Sequence, residues 1–330
     1  MPAMQVRSEV IVAAVQLACR APSLHNTQPW RWVAGDRFVK LFADPTRLAR
    51  SADPVGREAL ISCGAVLNHL QVAMSAAGWD SSITRWPDRD EPLHLATIEF
   101  AAAPVSAANI RRADAILWRH TDRLPLSPPP GWAPLAQIVG THTGSDGVRV
   151  DALSEEDRTA VALASRLAEE QHQKDFGYRN ELSWWTGALV NSDGIAADSL
   201  LSAEERERVD VGRTFPAGHQ TRRRSELRCD RSTILALWTE DDSRTSVLRC
   251  GETLSSVLLD ATLSGMSTCA MTHVTEVPSS RDIIASLLPQ GAIPQVLVRV
   301  GLAPAMDVAP PPTPRRPIEQ VLEIHRETTC

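Results

Sequence analysis

Lysine is almost missing from this chain. Of its 34 basic residues only Lys40 and Lys174 are lysine; the others are arginine. Two readings stay open: a GC-rich coding sequence, or a use for arginine's planar fork in gripping phosphate. Paired cysteines are also missing. The six, at 19, 63, 229, 250, 269 and 330, form no CxxC or similar spacing. No zinc or other metal site is therefore expected, and reduced thiols of a cytoplasmic protein are. No uninterrupted apolar run approaches the roughly 18 residues of a membrane helix. Met1 to Glu9 mixes charge with small residues and lacks a signal-peptide core. No membrane partner is expected. Positive charge is not in excess, since 34 basic against 40 acidic residues give −6. That argues against nucleic-acid binding, although a local basic pocket remains open. Hydrophobic residues at 43% and charged residues at 22% exclude disorder, collagen and coiled coil. The 330 residues fit one large domain or about two. If two, they are either different domains or two copies of one.

Hydrophobic periodicity predicts a helix over 9–20, ended at Ala21-Pro22, because the residue before proline avoids the helical region. A polar loop, Ser23 to Pro29, precedes a hairpin over 31–42 that turns at Gly35-Asp36. A helix is predicted over 57–77, stopped by Gly78, then strands over 83–86 and 93–100 and a helix over 109–117. In the later part a strand is predicted over 148–153. Ser154 with Asp157 forms a capping-box-like start to a helix through about Gln173. Strands over 233–239, 268–274 and 296–300, helices over 243–264 and 280–287, and a final helix over 318–327 complete the pattern.

One helix has an echo. Cys63-Gly64 and Cys250-Gly251 each open a segment with leucine four residues after the cysteine and glycine fifteen after it, Gly78 and Gly265. A strand and then a proline-led strand follow each. This favours duplication over two unrelated amphipathic helices. A helical glycine costs about 1 kcal/mol against alanine. Its presence at the same place in both copies points to close helix–helix approach and an internal two-fold, like a fused dimer.

Three segments could carry chemistry. Arg20-Ala-Pro-Ser-Leu-His-Asn-Thr-Gln-Pro-Trp30 sets Ser23, Asn26 and Gln28 in a loop bracketed by prolines. Their hydroxyl and amide groups can read a planar heterocycle, or serve as ordinary turn chemistry. Arg119-His120-Thr121-Asp122-Arg123 places two arginines four apart around a hydroxyl, which suits a phosphate or a solvated basic turn. Pro314-Arg315-Arg316-Pro317 is another possible anion grip.

Taken in order, these segments and Gly265-Met-Ser-Thr-Cys269 resemble the motifs of the FMN-dependent nitroreductase superfamily. They most resemble its Acg subfamily of actinobacterial, dormancy-associated proteins, across most of the chain. In the ordinary family the Arg-x-Ser-x-Arg motif precedes Asn-x-Gln-Pro-Trp; here the order is reversed. The resemblance implies an α+β, nitroreductase-like fold of two fused halves forming an internal pseudo-dimer. The first half is 1–105 with the flavin-ring loop. The second is 106–330 with the phosphate motif and arginine tail. It implies one FMN per chain, because the halves hold complementary parts of a single site, and a monomer in solution.

Residue by residue, the resemblance implies that Arg119 and Thr121 hold the ribityl-phosphate end, with His120 between them. Arg123 would lie near flavin N1 and O2, stabilising negative charge on the reduced ring. Arg315 or Arg316 would grip the phosphate. Ser23, Asn26 and Gln28 would contact the ring or ribityl chain, with His25 beside them. Met271, Thr272 and His273 would lie by the N5–O4 edge. Read on their own, His25 and His273 are structural hydrogen-bond partners. No protein group is assigned as a catalytic acid or base, since flavin N5 carries the chemistry. Residues 183–226 read as a lid. Trp184 and Trp185 within it either stack over the flavin or anchor the insertion. Arg222 to Arg224 read as a solvated loop, or as a contact for a dinucleotide phosphate. The implied function is NAD(P)H-dependent reduction of nitroaromatic or quinone-like acceptors. The alternative is FMN storage under a closed lid.

Overall fold

The structure, a computed structural model, describes residues 6–35, 38–142, 147–187, 193–216, 218, 223–305 and 312–325. Among these, α1 (Ser8–Ala18) leads to the hairpin β1 (Trp30–Ala34) and β2 (Phe38–Ala43), then α2 (Arg57–Ala76), β3 (Trp79–Arg85), β4 (His94–Ala102) and α3 (Ala107–Trp118). The chain continues through α4 (Trp132–His142), β5 (Val148–Ala152), α5 (Arg158–Lys174), α6 (Phe176–Thr186) and α7 (Ala203–Arg206). Then come β6 (Thr233–Thr239), α8 (Arg244–Leu263), β7 (Ser267–Met271), α9 (His273–Glu276), α10 (Pro278–Ser286), β8 (Ile293–Gly301), α11 (Ile318–Val321) and β9 (Leu322–Ile324). The fold class is α+β.

The strands form two sheets, ordered β3-β4-β2-β1-β9 and β5-β6-β8-β7. Apart from β9, which runs parallel to β1, every pairing is antiparallel. Both sheets share a pattern of two strands, a 20-residue helix and two more strands, the last of which pairs with the second; β9 adds a fifth strand to the first sheet. Each central pairing also has a register shift, at Leu41/Phe42 and at Leu237/Trp238.

The two long helices meet where the sequence predicts. An added Cβ at Gly64 would stand 2.0 Å from the Leu248 carbonyl oxygen and 2.8 Å from the Gly251 Cα. One at Gly251 would stand 2.0 Å from the Ile61 carbonyl oxygen. Only hydrogen at both positions lets the two backbones approach this closely. Helix α2 is buried on most of its surface, packed against α1, α3 and α8. An 18-residue stretch of it has mean hydropathy 1.3, so by length and composition it could cross a membrane, but 72% of that stretch is buried inside the protein. Gly78 and Gly265 follow the two helices with φ of 87° and 72°, the left-handed conformation that ends a helix without a Cβ penalty.

Several boundaries differ from expectation. β3 begins earlier, at Trp79, where it pairs with Ala102. Helix α4 follows the Ser-Pro-Pro-Pro-Gly break, where no helix was predicted, and packs on α8 and β5. Ser154 and Asp157 do bond reciprocally, at 2.7–3.2 Å, but they close a turn before α5. β7 stops at Met271, and residues 273–276 turn into helix. The final helix is one turn long, because Leu322–Ile324 pair with β1 instead.

Candidate functional site

A cavity of about 590 Å³ opens where the loop after α1, the N-terminal half of α2, the segment after α3, the end of β7 and the tail converge. That volume is ordinary for a small-molecule or cofactor site.

The Ser23–Pro29 loop is held in strain. His25, Asn26 and Gln28 all have positive φ, at 48°, 60° and 51°. Non-glycine residues pay for that conformation, so the surroundings must enforce it. Ser23 Oγ accepts from the Gln28 amide at 3.0 Å, and Ser62 Oγ on α2 accepts from the Leu24 amide at 3.2 Å. The Asn26 side-chain amide donates to the carbonyls of Asp193, Gly194 (3.2 Å) and Pro314 (3.0 Å). Gln28 Nε2 donates to the Asn26 carbonyl, and its Oε1 accepts from the Arg316 amide at 2.9 Å. The polar groups of this motif therefore bond largely to the protein itself. Ser23, His25 and Asn26 line the cavity; fully buried Gln28 does not.

One end of the cavity gathers Arg20, Arg119 and Arg315. Arg315 donates to the carbonyls of Cys19, Arg20, Ala21, Thr313 and Pro314 at 2.9–3.3 Å. Arg119 Nη2 donates to the Arg20 carbonyl, and Arg20 Nη1 to that of Thr313. Every hydrogen-bond acceptor of the three, among the described residues, is a main-chain carbonyl. Arg119 Nε is buried with no partner. Burial, then the charge of Arg20, lowers Arg119 to about 10. Burial, then Arg119 and Arg20, lowers Arg315 to about 9. Like charges kept together without a carboxylate make a site for an anion. His120 and Thr121 also line the cavity, and Thr121 bridges to Thr268 of β7.

The other end is lined by Arg123, Arg213, Phe215, Met271 and Thr272. Arg123 lies over the Phe215 ring, 5.0 Å from its centroid. Arg299, 1% exposed, steadies this segment by donating to the Leu124 carbonyl at 2.9 Å while ion-paired to Asp230 at 2.6 Å. Arg213 pairs with Glu276 and Tyr178, and donates to Thr272 Oγ1 at 3.2 Å. Both His25 ring nitrogens are buried without partners.

The structure thus separates two adjacent candidates. Arg315 faces the cavity. Arg316 does not; it donates to the carbonyls of Gln28 and Trp30 at 3.2 Å and of Gln320 at 2.9 Å. His273, fully buried, also lies outside the lining and shares a 2.8 Å hydrogen bond with Ser165.

No family model matches the chain. A protein of Mycobacterium tuberculosis named "Putative NAD(P)H nitroreductase acg" is 52% identical over 325 residues, covering 98% of both chains. This chain belongs to the Acg-type nitroreductase family. A second Mycobacterium tuberculosis relative, an uncharacterized protein, is 46% identical over 318 residues, 95% of this chain and 92% of its own. Among solved structures, the FMN-dependent nitroreductase NfnB from Mycobacterium smegmatis in complex with NADPH matches at 15% identity with a TM-score of 0.42. The match covers 66% of this chain and 99% of that one. An overlap that loose places no ligand here.

One expectation about the 183–226 insertion in this Acg-type chain needs correction. Arg224 is buried and Arg223 half-buried, and both are ion-paired rather than solvated. Arg224 pairs with both Asp122 carboxylate oxygens at 3.1 and 2.7 Å, and Arg223 with Glu205 at 2.7 Å. These carboxylates take up the charge that a dinucleotide phosphate would need. Arg222 lies outside the described residues. Neither Trp184 nor Trp185 lines the cavity. Trp185 is buried with the Arg47 guanidinium over its ring, the position of an anchor.

Sequence reasoning missed Glu58, Ser62 and Arg213 in the wall, and left Arg20 as a mere flank of its motif. Arg20 was findable as a third arginine beside a polar loop. Glu58 stood as an acid in the first turn of a helix, an ordinary place for one, and only packing brings it inward.

Proposed function

We propose that this chain is an FMN-binding flavoprotein of nitroreductase type. It would take electrons from NAD(P)H and pass them to nitroaromatic or quinone-like acceptors. The observation that carries this reading is the arginine cluster, free of carboxylate partners, with Arg119 buried and Arg20 and Arg315 half-buried in the wall of a cofactor-sized cavity. Arg20, Arg119 and Arg315 would hold the phosphate, and the unpartnered Arg119 Nε offers it a donor. Thr121 and His120 would flank the ribityl chain. Arg123 would face negative charge on the ring, and Met271 and Thr272 its N5–O4 edge. Bound FMN supplies the hydride chemistry. The chain's own part is to fix the cofactor, and to exclude water with Ile195, Leu201, Val209 and Phe215.

The repeated two-strand, helix, two-strand order supports reading the chain as halves, 1–105 and 106–330, fused into a monomeric pseudo-dimer with one FMN. A second reading, FMN storage, is favoured by one observation. Residues 195–215 wall the cavity, and Asn26 is bonded to the carbonyls of 193 and 194, an arrangement suited to a closed lid.

Purified protein should carry one FMN per chain. It should oxidise NADH or NADPH faster than free FMN does, with nitrofurazone or menadione present. A rate no better than free FMN would exclude the enzyme and leave storage. Fast reduction followed by acceptor-dependent reoxidation would exclude storage.

A further inference from the structure

Among the titratable side chains that line the cavity are His25 and Glu58. Their surroundings differ in sign. Burial first, then the charges of Arg213, Arg123 and His172, keeps His25 neutral. Glu58 is 3% exposed in the first turn of α2. Facing it are Arg57 on the same helix, Asp53 from the preceding loop and Glu276 on α9, and Glu276 is itself paired to Arg213. Three carboxyl groups therefore meet two guanidiniums. Arg57 also shares its donors with Gln295 and Thr275, at 2.9–3.0 Å, which dilutes its hold on Glu58. Burial, the largest influence, outweighs Arg57 and lifts Glu58 well above the carboxylate range. Burial and the neighbouring carboxyl groups therefore favour the protonated form of Glu58 over its carboxylate, against the pull of Arg57. Leu117 and Trp118, both exposed and both in the lining, mark where the cavity meets solvent.

We propose that Glu58 is a further catalytic residue of this site, the general acid that gives a proton to the oxygen of a two-electron acceptor. The proposal rests on the flavin reading above. Bound FMN, reduced by NAD(P)H, would supply the hydride to an acceptor of the quinone class. The Glu58 O–H bond breaks, an O–H bond forms on the acceptor, and the electron pair left behind makes a carboxylate beside Arg57. A proton from water restores the acid before the next turnover. General acids of this kind contribute about 100-fold or more to rate.

The full-length holoprotein tests this by infrared spectroscopy and by transient kinetics. At pH 7 the wild type should show a protonated-carboxyl C=O stretch that shifts in D2O. Glu58→Gln should lose that band, and Glu58→Asp should keep one. Glu58→Gln should bind FMN and accept hydride as the wild type does, yet reoxidise with menadione about 100-fold more slowly. Its reoxidation by ferricyanide, a one-electron acceptor that takes up no proton, should be unchanged. Absence of the band, wild-type reoxidation by menadione, or equal slowing with ferricyanide overturns the proposal. A chain that takes up no FMN overturns the flavin reading and the acid's role together. Absence of the band from the FMN-bound wild type overturns the acid alone.

Discussion

Neighbouring arginines in the tail have different surroundings, and their substitutions should separate accordingly. Arg315 reaches the cavity beside Arg119 and Arg20, whereas Arg316 ties the tail to the strained loop and β1. A charge-assisted hydrogen bond is worth about 1.5–3 kcal/mol. Arg119→Ala and Arg315→Ala should therefore each weaken FMN retention by about 10- to 100-fold. Equilibrium dialysis against FMN measures this, and undiminished affinity in both would remove the phosphate assignment. Arg316→Ala should instead lower the melting temperature, because the carbonyls of Gln28, Trp30 and Gln320 lose their donor. The arginine-rich motifs were legible in the sequence as anion grips. Which guanidinium meets the anion was not, since adjacent residues of a non-helical segment point apart and only the packing around them chooses.

At the scale of elements, the crossing of α2 and α8 is the contact most sensitive to a single atom. Alanine at Gly64 or Gly251 gains about 1 kcal/mol of helix propensity. Its Cβ would nevertheless stand 2.0 Å from a main-chain oxygen, a clash that no rotamer change relieves. The helices must part, and overpacking costs about 1–3 kcal/mol or more. Urea unfolding should show a net loss for each variant. Gly140 in α4 is the control, because nothing lies within 4 Å of its added Cβ. Gly140→Ala should be neutral or stabilising by up to about 1 kcal/mol. Gains from Gly64→Ala and Gly251→Ala equal to that of Gly140→Ala would refute the close crossing. The glycine pair was legible because its spacing repeats. The shortened last helix was not, since pairing of Leu322–Ile324 with β1 depends on residues almost 300 positions away.

For the whole molecule, buried titratable groups set the pH range of stability. Burial, the largest cause in each, pushes His25, His69 and His273 well below the usual histidine value. Unfolding frees them to bind protons below about pH 6.5. Their contribution is thus present above that value and lost as pH falls through it. Glu58 acts oppositely. Its raised value means that it keeps in the fold a proton that the unfolded chain releases above about pH 4.3. Between these values the lowered histidines outnumber the raised glutamate, so unfolding takes up protons and stability falls as pH falls. The melting temperature of the flavin-free protein should therefore fall steeply from pH 7 to pH 5. A flat profile over that range would show that these groups are not buried as described.

By itself the sequence determined what depends on near neighbours. The helices and strands of strong periodicity, the paired Cys-Gly helices, the glycines that close them and the three polar motifs all follow from local spacing, and those motifs carry the resemblance to the family that the 52% identical relative shows. Tertiary structure decided what depends on charge brought together from afar. It set Arg315 apart from Arg316, paired Arg223 and Arg224 with Glu205 and Asp122, and turned the polar groups of the Ser23–Pro29 loop toward the protein. It also enclosed Glu58 among Arg57, Asp53 and Glu276. Helix propensity acts over a few residues, whereas burial and Coulomb terms act across whatever distance in sequence the fold has closed.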